Sequence, residues 1–309
     1  MADLRTSYMG IELNNPIVVG ACSLSKKIDT LKRLADSGAG AVVLKSLFEE
    51  QVQLEQEALR QELERYQDLY AEAQSLFPSM EHAKPKEHLY WVERSKKAVS
   101  IPVIASLNAI YEPTWVDYAA QLADTGVDGL ELNFYTVPID PSLSGDDIEK
   151  RELDAFDAVR AAVELPLAVK LHPYYTSVLH TARAFDERGA DAIVVFNKLF
   201  QPDIDMMSEQ ESVSRLLSSP EESRVPRRWA ALLNGQVKAD IVASTGINSG
   251  IDVAKMLLAG AGSVQVVSTL YKNGIGHLSN IQRELSKWMD GKGYEKVGDF
   301  VGKVSKKNV

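Results

Sequence analysis

Two lysines and an asparagine stand at or near the ends of short apolar runs. Lys45 follows "VVL", Lys170 lies in "LAVKL", and Asn133 closes "GLELN". A lysine is almost never fully buried without a partner. Each ammonium group could simply reach water at a strand end. Two such lysines beside an asparagine favour instead a site for an anion or an electron-rich ring.

A threonine follows Asn133 in the loop after the same apolar run. The sequence there reads "NFYTVP", so Thr136 lies three residues after the asparagine. A hydroxyl accepts a substrate proton only when a neighbour or a water chain removes its own proton. The residues alone do not decide between a chemical role for Thr136 and packing or turn capping.

The composition excludes several classes of protein. Of 309 residues, 45% are hydrophobic, and the net charge of -9 with a pI near 5.2 disfavours binding to nucleic acid or to an anionic membrane surface. No apolar stretch approaches the ~20 residues of a membrane helix. The single cysteine, Cys22, rules out an intramolecular disulfide and a Cys-rich zinc site. We expect a cytoplasmic protein.

Eight short apolar runs alternate with amphipathic helical patterns. Continuous apolar runs are typical of strands that are buried on both faces. The predicted strands, numbered one to eight, cover 16–21, 40–46, 102–107, 129–133, 167–171, 192–197, 240–245 and 263–268. Several of the intervening helical patterns end in glycine before the next strand. This order predicts a single-domain (β/α)₈ barrel of the α/β class over residues 1–309. A doubly wound sheet is the alternative, but the Gly-rich G-x-G-x-x-G turn it requires is missing after the first strand.

Two long insertions interrupt the alternation. Residues 47–77 follow predicted strand two, and their apolar side chains recur at helical spacing, which predicts one long helix. That helix could pack on the barrel, cover the active site or contact another subunit. Residues 201–235 follow predicted strand six and should shape a substrate pocket.

The last two predicted strands carry a possible phosphate site. Gly246 directly follows predicted strand seven, and Val267 and Ser268 end predicted strand eight. Barrels commonly hold phosphate with backbone N–H groups in these two loops. An ordinary tight turn is the alternative. The five histidines show no HxH or HExxH spacing, so we expect no metal site.

These motifs resemble the dihydroorotate dehydrogenase family over nearly the whole chain. The likeness includes "MGIELNNPIVVGA", "VVLKS", "ELN", "LAVKL", "VVFN", "STGINSGIDVAKMLLAGAGSVQV" and "STLYKNG". The resemblance implies non-covalently bound FMN at the mouth of a (β/α)₈ barrel. It implies hydride transfer between flavin N5 and a substrate CH–CH bond, with dihydroorotate or a related cyclic amide as the substrate.

The resemblance also assigns roles to individual residues. Ala21 and Cys22 would pass beside the flavin ring, and Lys45 and Lys170 would contact it. Asn197 would bind substrate. The remaining assignments follow the motifs: Ser46 and Asn133 at the polar edge of the flavin or the substrate, Lys45 also in catalysis, and the backbone around Gly246, Ile247, Val267 and Ser268 at the phosphate.

This chain departs from the family pattern mainly where substrate binds. The family typically places cysteine or serine, the base that takes the substrate proton, where Thr136 stands, so the resemblance makes Thr136 the candidate catalytic base. The family typically places asparagine where Pro138 stands. Lys198 replaces a usual serine or threonine, and Val267-Ser268 replaces a usual Gly-Thr pair. The residues implied to hold the flavin therefore match the family pattern better than the residues implied to hold substrate.

Two further functions remain as alternatives to substrate oxidation. One is an FMN-binding barrel without dihydroorotate turnover, acting as a redox sensor or a partner subunit. The other is a tRNA-reducing flavin barrel, which the acidic balance disfavours. For the leading function we expect a soluble electron acceptor, a small-molecule substrate and a homodimer.

Overall fold

A computed structural model of the chain describes residues 2–48, 83–108, 112–134, 139–198, 203–212 and 217–305. The strands within these ranges are β1 (Thr6–Tyr8), β2 (Ile11–Leu13), β3 (Ile17–Val19), β4 (Ala41–Val43), β5 (Leu47–Phe48), β6 (Val103–Asn108), β7 (Gly129–Asn133), β8 (Leu167–Leu171), β9 (Ala192–Val195), β10 (Asp203–Asp205), β11 (Gln210–Ser212), β12 (Asp240–Ser244) and β13 (Ser263–Val266). The helices are α1 (Ile28–Asp36), α2 (Ala83–Ala98), α3 (Glu112–Asp124), α4 (Gly145–Ala162), α5 (Val178–Glu187), α6 (Arg224–Leu233), α7 (Gly250–Ala259), α8 (Ser268–Asn273) and α9 (His277–Lys292).

Eight parallel strands in the described ranges close into a barrel. The order β4-β3-β13-β12-β9-β8-β7-β6 is completed by pairing of β4 with β6. These are the eight predicted strands, in the same chain order. Their ends agree or fall up to three residues short of the prediction, except that β6 ends one residue later, at Asn108. The predicted (β/α)₈ barrel is therefore confirmed, and the doubly wound alternative is wrong.

Each barrel strand separates an inner from an outer core. In β8, Leu167, Val169 and Leu171 pack in the large cluster shared with the surrounding helices. Ala168 belongs to the smaller cluster inside the barrel, and Lys170 shares its face because side chains alternate along a strand. A lysine in this apolar run therefore lies inside the barrel, near the carboxyl end of its strand.

The amino-terminal end of the barrel is closed by the antiparallel hairpin of β1 and β2. Tyr8, Met9 and Leu13 from this hairpin are at most 2% exposed and join the inner cluster with Val18 and Val43. Their burial fills the bottom of the barrel. The carboxyl ends of the strands form the opposite end, where a ligand can enter.

The two insertions only partly match their predictions. Leu47 and Phe48 form strand β5 beside β6, so the helix predicted over 47–77 is wrong for these two residues. Their pairing with β6 satisfies backbone hydrogen-bonding groups. This stabilisation outweighs the helical preference of the sequence pattern. Residues 49–77 lie outside the described ranges. In the second insertion, β10 and β11 form an antiparallel hairpin, and a short 3₁₀ helix at Pro220–Ser223 leads into α6.

None of the helices described is both long enough and apolar enough to cross a membrane.

Candidate functional site

The predicted strand-end residues of β7, β8 and the loop after β9 come together. Barrel register places Asn133 opposite Lys170. The Asn197 amide donates from Nδ2 to Oδ1 of Asn133, at 3.0 Å. Asn133 is 8% exposed, and its side-chain carbonyl oxygen is thereby oriented from the loop after β9, two strands away in the barrel. The two asparagines can present amide donors and acceptors to a planar polar ligand.

Lys170 is held by a buried polar network inside the barrel. Its Nζ donates to Gln265 Oε1 at 2.7 Å and lies 3.5 Å from Glu131 Oε1. Gln265 donates from Nε2 to Glu131 Oε2, and the Tyr8 hydroxyl donates to the same oxygen at 3.1 Å. All four residues are buried, at most 7% exposed. The network provides hydrogen-bond partners for Lys170, which the sequence analysis had identified, and it fixes the position of the ammonium group.

A cavity of about 250 Å³ opens above this network. Its lining combines small apolar side chains, hydroxyls and two lysines, in the order Ala21, Lys170, Asn197, Lys198, Leu217, Ser218, Ser244, Thr245, Gly246, Ile247, Gln265, Val267, Ser268 and Tyr271. Seven residues of the predicted site are among them. Cys22, Lys45, Ser46 and Asn133 are not part of this lining.

Hydroxyl groups gather at one end of the cavity, beside β12 and β13. Ser218 donates to Ser268 Oγ through its backbone N–H at 2.9 Å and through its hydroxyl at 3.0 Å. The Gly246 N–H donates to Ser218 Oγ at 3.1 Å, and Lys272 Nζ donates to the Ser218 carbonyl at 2.7 Å. The Ser268 hydroxyl, which only accepts in these bonds, and the Lys272 ammonium group thus lie together and can donate to a phosphate.

Gly246 is required there by two separate features. Its φ of 76° lies in the left-handed region, which a side chain disfavours. A Cβ atom at this position would also lie 2.4 Å from the backbone nitrogen of Ser223 and 2.8 Å from the carbonyl oxygen of Ser219. The segment after β11 therefore packs directly against the loop after β12.

An ion pair ties that same segment to the end of β9. Lys198 Nζ donates to Glu222 Oε1 at 2.6 Å. Burial opposes ionisation of Glu222, but hydrogen bonds from Lys198 and from the Ser219 N–H lower its pKa. Lys198 therefore brings a cation to the cavity wall, although Glu222 offsets part of its charge.

Lys45 and Ser46 lie beyond the lining, at the end of β4. Burial lowers the pKa of Lys45, and the nearby charge of Lys26 lowers it further. The Ser46 hydroxyl hydrogen-bonds to that of Ser106 at 3.0 Å. Two lysines near one another favour an anionic group at this edge of the barrel mouth.

A histidine behind Lys45 fixes the backbone there. The Lys45 carbonyl can only accept, so His88 Nε2 carries the proton in their 3.2 Å hydrogen bond. The Tyr118 hydroxyl then donates to His88 Nδ1 at 2.5 Å. Burial lowers the pKa of His88, which agrees with a neutral ring. Sequence reasoning missed both His88 and Tyr118, because they lie in helices and not at the ends of the predicted strands.

The two other reactive side chains near the barrel mouth are held in weakly reactive forms. Burial raises the pKa of the Cys22 thiol, which disfavours the thiolate. Burial lowers the pKa of His172 to about 4, and its ring stacks on Tyr175 with centroids 3.9 Å apart. His172 is thus neutral near pH 7 and accepts from the Tyr174 N–H at Nδ1. The predicted base, Thr136, lies outside the described residues.

No group of three or more histidine, cysteine or acidic side chains within the described ranges could hold a metal ion.

Comparison with known proteins identifies the family. A family model described as dihydroorotate dehydrogenase matches residues 3–289. The chain belongs to the dihydroorotate dehydrogenase family. As a member of this family, it is an oxidoreductase that acts on a CH–CH bond.

Curated relatives match the chain along its full length. The catalytic subunit of dihydroorotate dehydrogenase B (NAD(+)) from Thermoplasma volcanium is 27% identical over 316 residues, covering 99% of this chain and 100% of that protein. The protein of the same name from Methanocella arvoryzae is 28% identical over 301 residues, with 95% of each chain covered. Dihydroorotate dehydrogenase A (fumarate) from Limosilactobacillus reuteri is 25% identical over 303 residues, with 96% of each chain covered.

Several residues of the site could have been found from strand periodicity. Glu131 and Asn133 share one face of β7, and Gln265 shares a face of β13 with Ser263, while the apolar residues between them face the helices. A polar residue at alternate positions of an apolar strand indicates an inward side chain. Ser218 and Lys272 gave no such signal, because neither lies in a barrel strand.

Proposed function

We propose that the protein binds FMN non-covalently at the mouth of the barrel and oxidises dihydroorotate to orotate, or a closely related cyclic amide. The observation that carries this proposal is Lys170. Lys170 is 7% exposed, its ammonium group is held by Gln265, and it lines a cavity that ends in a cluster of hydroxyl and N–H donors. A buried cation at this place suits a ring that gains negative charge on reduction.

The residues present fit FMN. Ala21 and Val267 give the cavity small apolar surfaces, and Lys170 lies beneath it, as a flat ring with a polar edge requires. Ser218, Ser268 and Lys272 would hold the phosphate. The chain also lacks the G-x-G-x-x-G fingerprint after its first barrel strand, so FMN is favoured over a dinucleotide.

Bound FMN supplies the hydride acceptor for the oxidation. The chain then has four tasks. Lys170 stabilises the negative charge that develops in the site. The amides of Asn133 and Asn197 orient the carbonyl and N–H groups of a cyclic amide. Lys45, with Lys26 nearby, attracts a substrate carboxylate, and Thr136, or a water that it orients, takes the substrate proton.

The substrate could differ from dihydroorotate because two substrate positions are altered. Pro138 cannot provide the side-chain amide that the family pattern places there, and Lys198 adds a cation to the cavity wall. A cyclic amide with a further acidic group is thus a natural candidate. Binding of FMN without turnover remains the second function, supported by these same two departures.

The electron acceptor and the assembly are also part of the proposal. The relatives' names include both NAD(+) and fumarate, and we propose a soluble acceptor without choosing between them. We further propose a cytoplasmic homodimer, which size-exclusion chromatography with light scattering would test.

A visible spectrum of the purified protein tests the proposal most directly. We expect a yellow protein whose released cofactor co-migrates with FMN and whose colour bleaches anaerobically when substrate is added. A colourless protein that FMN neither stabilises nor colours would contradict the cofactor. If FMN is bound but no dihydropyrimidine in a test set bleaches it, the non-catalytic alternative is favoured.

A further inference from the structure

A buried carboxylate lies directly beneath the lysine that faces the cavity. Glu131 is completely buried inside the barrel, with the Tyr8 hydroxyl and the Gln265 amide donating to its Oε2 and the Lys170 ammonium beside its Oε1. Lys170 can only donate, so Gln265 turns its Oε1 to the lysine and its Nε2 to the carboxylate. The arrangement therefore suits an ionised glutamate, which only accepts.

This ion pair is costly and has no evident stabilising purpose. Taking two charges out of water costs free energy, and well-packed apolar residues often replace a buried pair without loss of stability. The inner core around this network is mostly apolar, with side chains such as Val18 and Val194, which shows what the barrel uses elsewhere. Glu131 thus calls for an explanation in terms of its neighbour Lys170.

We propose that Glu131 is a positioning residue that tunes the charge of the cofactor site. Through Gln265 it fixes the Lys170 ammonium group, and its own negative charge offsets part of the positive potential that Lys170 presents to the cavity. Glu131 would thereby set how strongly the site favours reduced over oxidised flavin. This inference rests on the proposed binding of FMN.

The two buried charges should act on the flavin with opposite signs. Glu131→Gln keeps the size of the side chain but removes the negative charge, so Lys170 acts without its counter-charge. We expect the affinity for reduced FMN to rise relative to that for oxidised FMN by about tenfold or more, which for a two-electron couple is about 30 mV or more in reduction potential. A merely structural role for Glu131 predicts no rise, because a displaced Lys170 would favour reduced flavin less.

Glu152→Gln is the matched control. Glu152 is 4% exposed and accepts from the Tyr175 hydroxyl at 2.7 Å, so it resembles Glu131 in burial and in one partner. It lies on α4, among the helices outside the barrel. We expect the potential of bound FMN to stay at the parent value in this variant.

The experiment measures the reduction potential of bound FMN in the parent, Glu131→Gln and Glu152→Gln. A raised potential in Glu131→Gln alone supports the inference. An unchanged or lowered potential in Glu131→Gln, with FMN bound, overturns it and leaves the proposed function intact. A parent protein that takes up no FMN overturns both.

A second measurement does not depend on the flavin. Thermal unfolding of the full chain without added FMN compares Glu131→Gln, Lys170→Met and the double variant. Each single change leaves a buried charge without its partner, so we expect the loss in the double variant to be smaller than the sum of the two. Additive losses would overturn the coupling. Should Glu131→Gln fail to fold, the double variant, which leaves neither charge unpaired, is measured in its place. The potential of its bound FMN should lie below that of the parent but above that of Lys170→Met. A potential equal to that of Lys170→Met would overturn the inference.

Discussion

Replacing Lys170 by methionine tests the central feature of the proposed site. Methionine keeps most of the length and apolar volume of the side chain but removes the ammonium group. The oxidised ring should still bind, since Ala21 and Val267 remain. The reduced form should lose the buried cation that lines the cavity from inside the barrel, so the reduction potential of bound FMN should fall.

The size of this fall follows from the geometry. An anion ~4 Å from the ammonium group interacts with it by roughly 4 kcal/mol at an effective dielectric constant of 20. Glu131 lies 3.5 Å beyond Nζ and opposes this attraction with roughly 2 kcal/mol. Glu131 opposes the anion equally in the parent and in the variant, so the full attraction of about 4 kcal/mol is lost. A loss of this size corresponds to a fall of roughly 90 mV for a two-electron couple.

The assay is anaerobic reduction of the flavin in equilibrium with a reference dye of known potential. Lys96→Met is a suitable control, because Lys96 also pairs with a carboxylate, Asp128 at 2.6 Å, but lies on α2. Its potential should equal that of the parent. The reasoning is refuted if Lys170→Met binds FMN and retains the parent potential.

Changes at four further positions test other parts of the site. Thr136→Val should leave FMN binding intact and slow anaerobic bleaching by about 10²–10⁴, the usual effect of a positioned acid–base group, while Thr136→Cys should bleach at least as fast, with a rise as the thiol ionises. Gly246→Ala should weaken FMN binding measured by fluorescence titration, because its Cβ would collide with the backbone of the 219–223 segment. Lys272→Met should raise the Kd for FMN by about tenfold, as expected for a hydrogen bond to a charged group, and should leave the Kd for riboflavin, which lacks the phosphate, unchanged. The pKa of His172 is lowered to about 4 from 6.5, so between these pH values the unfolded chain binds more protons than the folded chain. The free energy of unfolding should therefore fall as pH drops from 6.5 to about 4. His172→Gln should weaken this pH dependence, measured by urea unfolding.

The controls for these variants come from the same chain. Gly274 has a φ of 81°, but a Cβ atom there would meet no other atom within 4 Å, so Gly274→Ala measures backbone strain without the collision. Parent-rate bleaching by Thr136→Val would mean that another group takes the proton. Loss of riboflavin and FMN binding together in Lys272→Met would argue against a phosphate contact, and an unchanged pH slope in His172→Gln would remove His172 from the acid sensitivity.

The barrel and much of its mouth could be predicted from the order of residues alone. Apolar runs such as 167–171 can only be buried on both faces, and glycines such as Gly38, with a φ of 96°, end the helices between them. Parallel strands of a barrel end at one rim, so recognition of the strands predicts that Lys170, Asn133 and Asn197 lie close together. The role of Thr136 and the extent of a single domain over 1–309 stay predictions.

The contacts that these residues make could be read only from the folded chain. Tyr8 reaches Glu131 across 123 positions of sequence, and Gln265 reaches it across 134. Ser218 meets Ser268 because an insertion with no barrel strand folds back over the loop after β12. Periodicity can show that a side chain points inward, but the partner depends on barrel closure, on strand register and on where a long loop packs. A buried charge takes whatever donor the fold brings within hydrogen-bond distance, and that distance is set in space rather than along the chain.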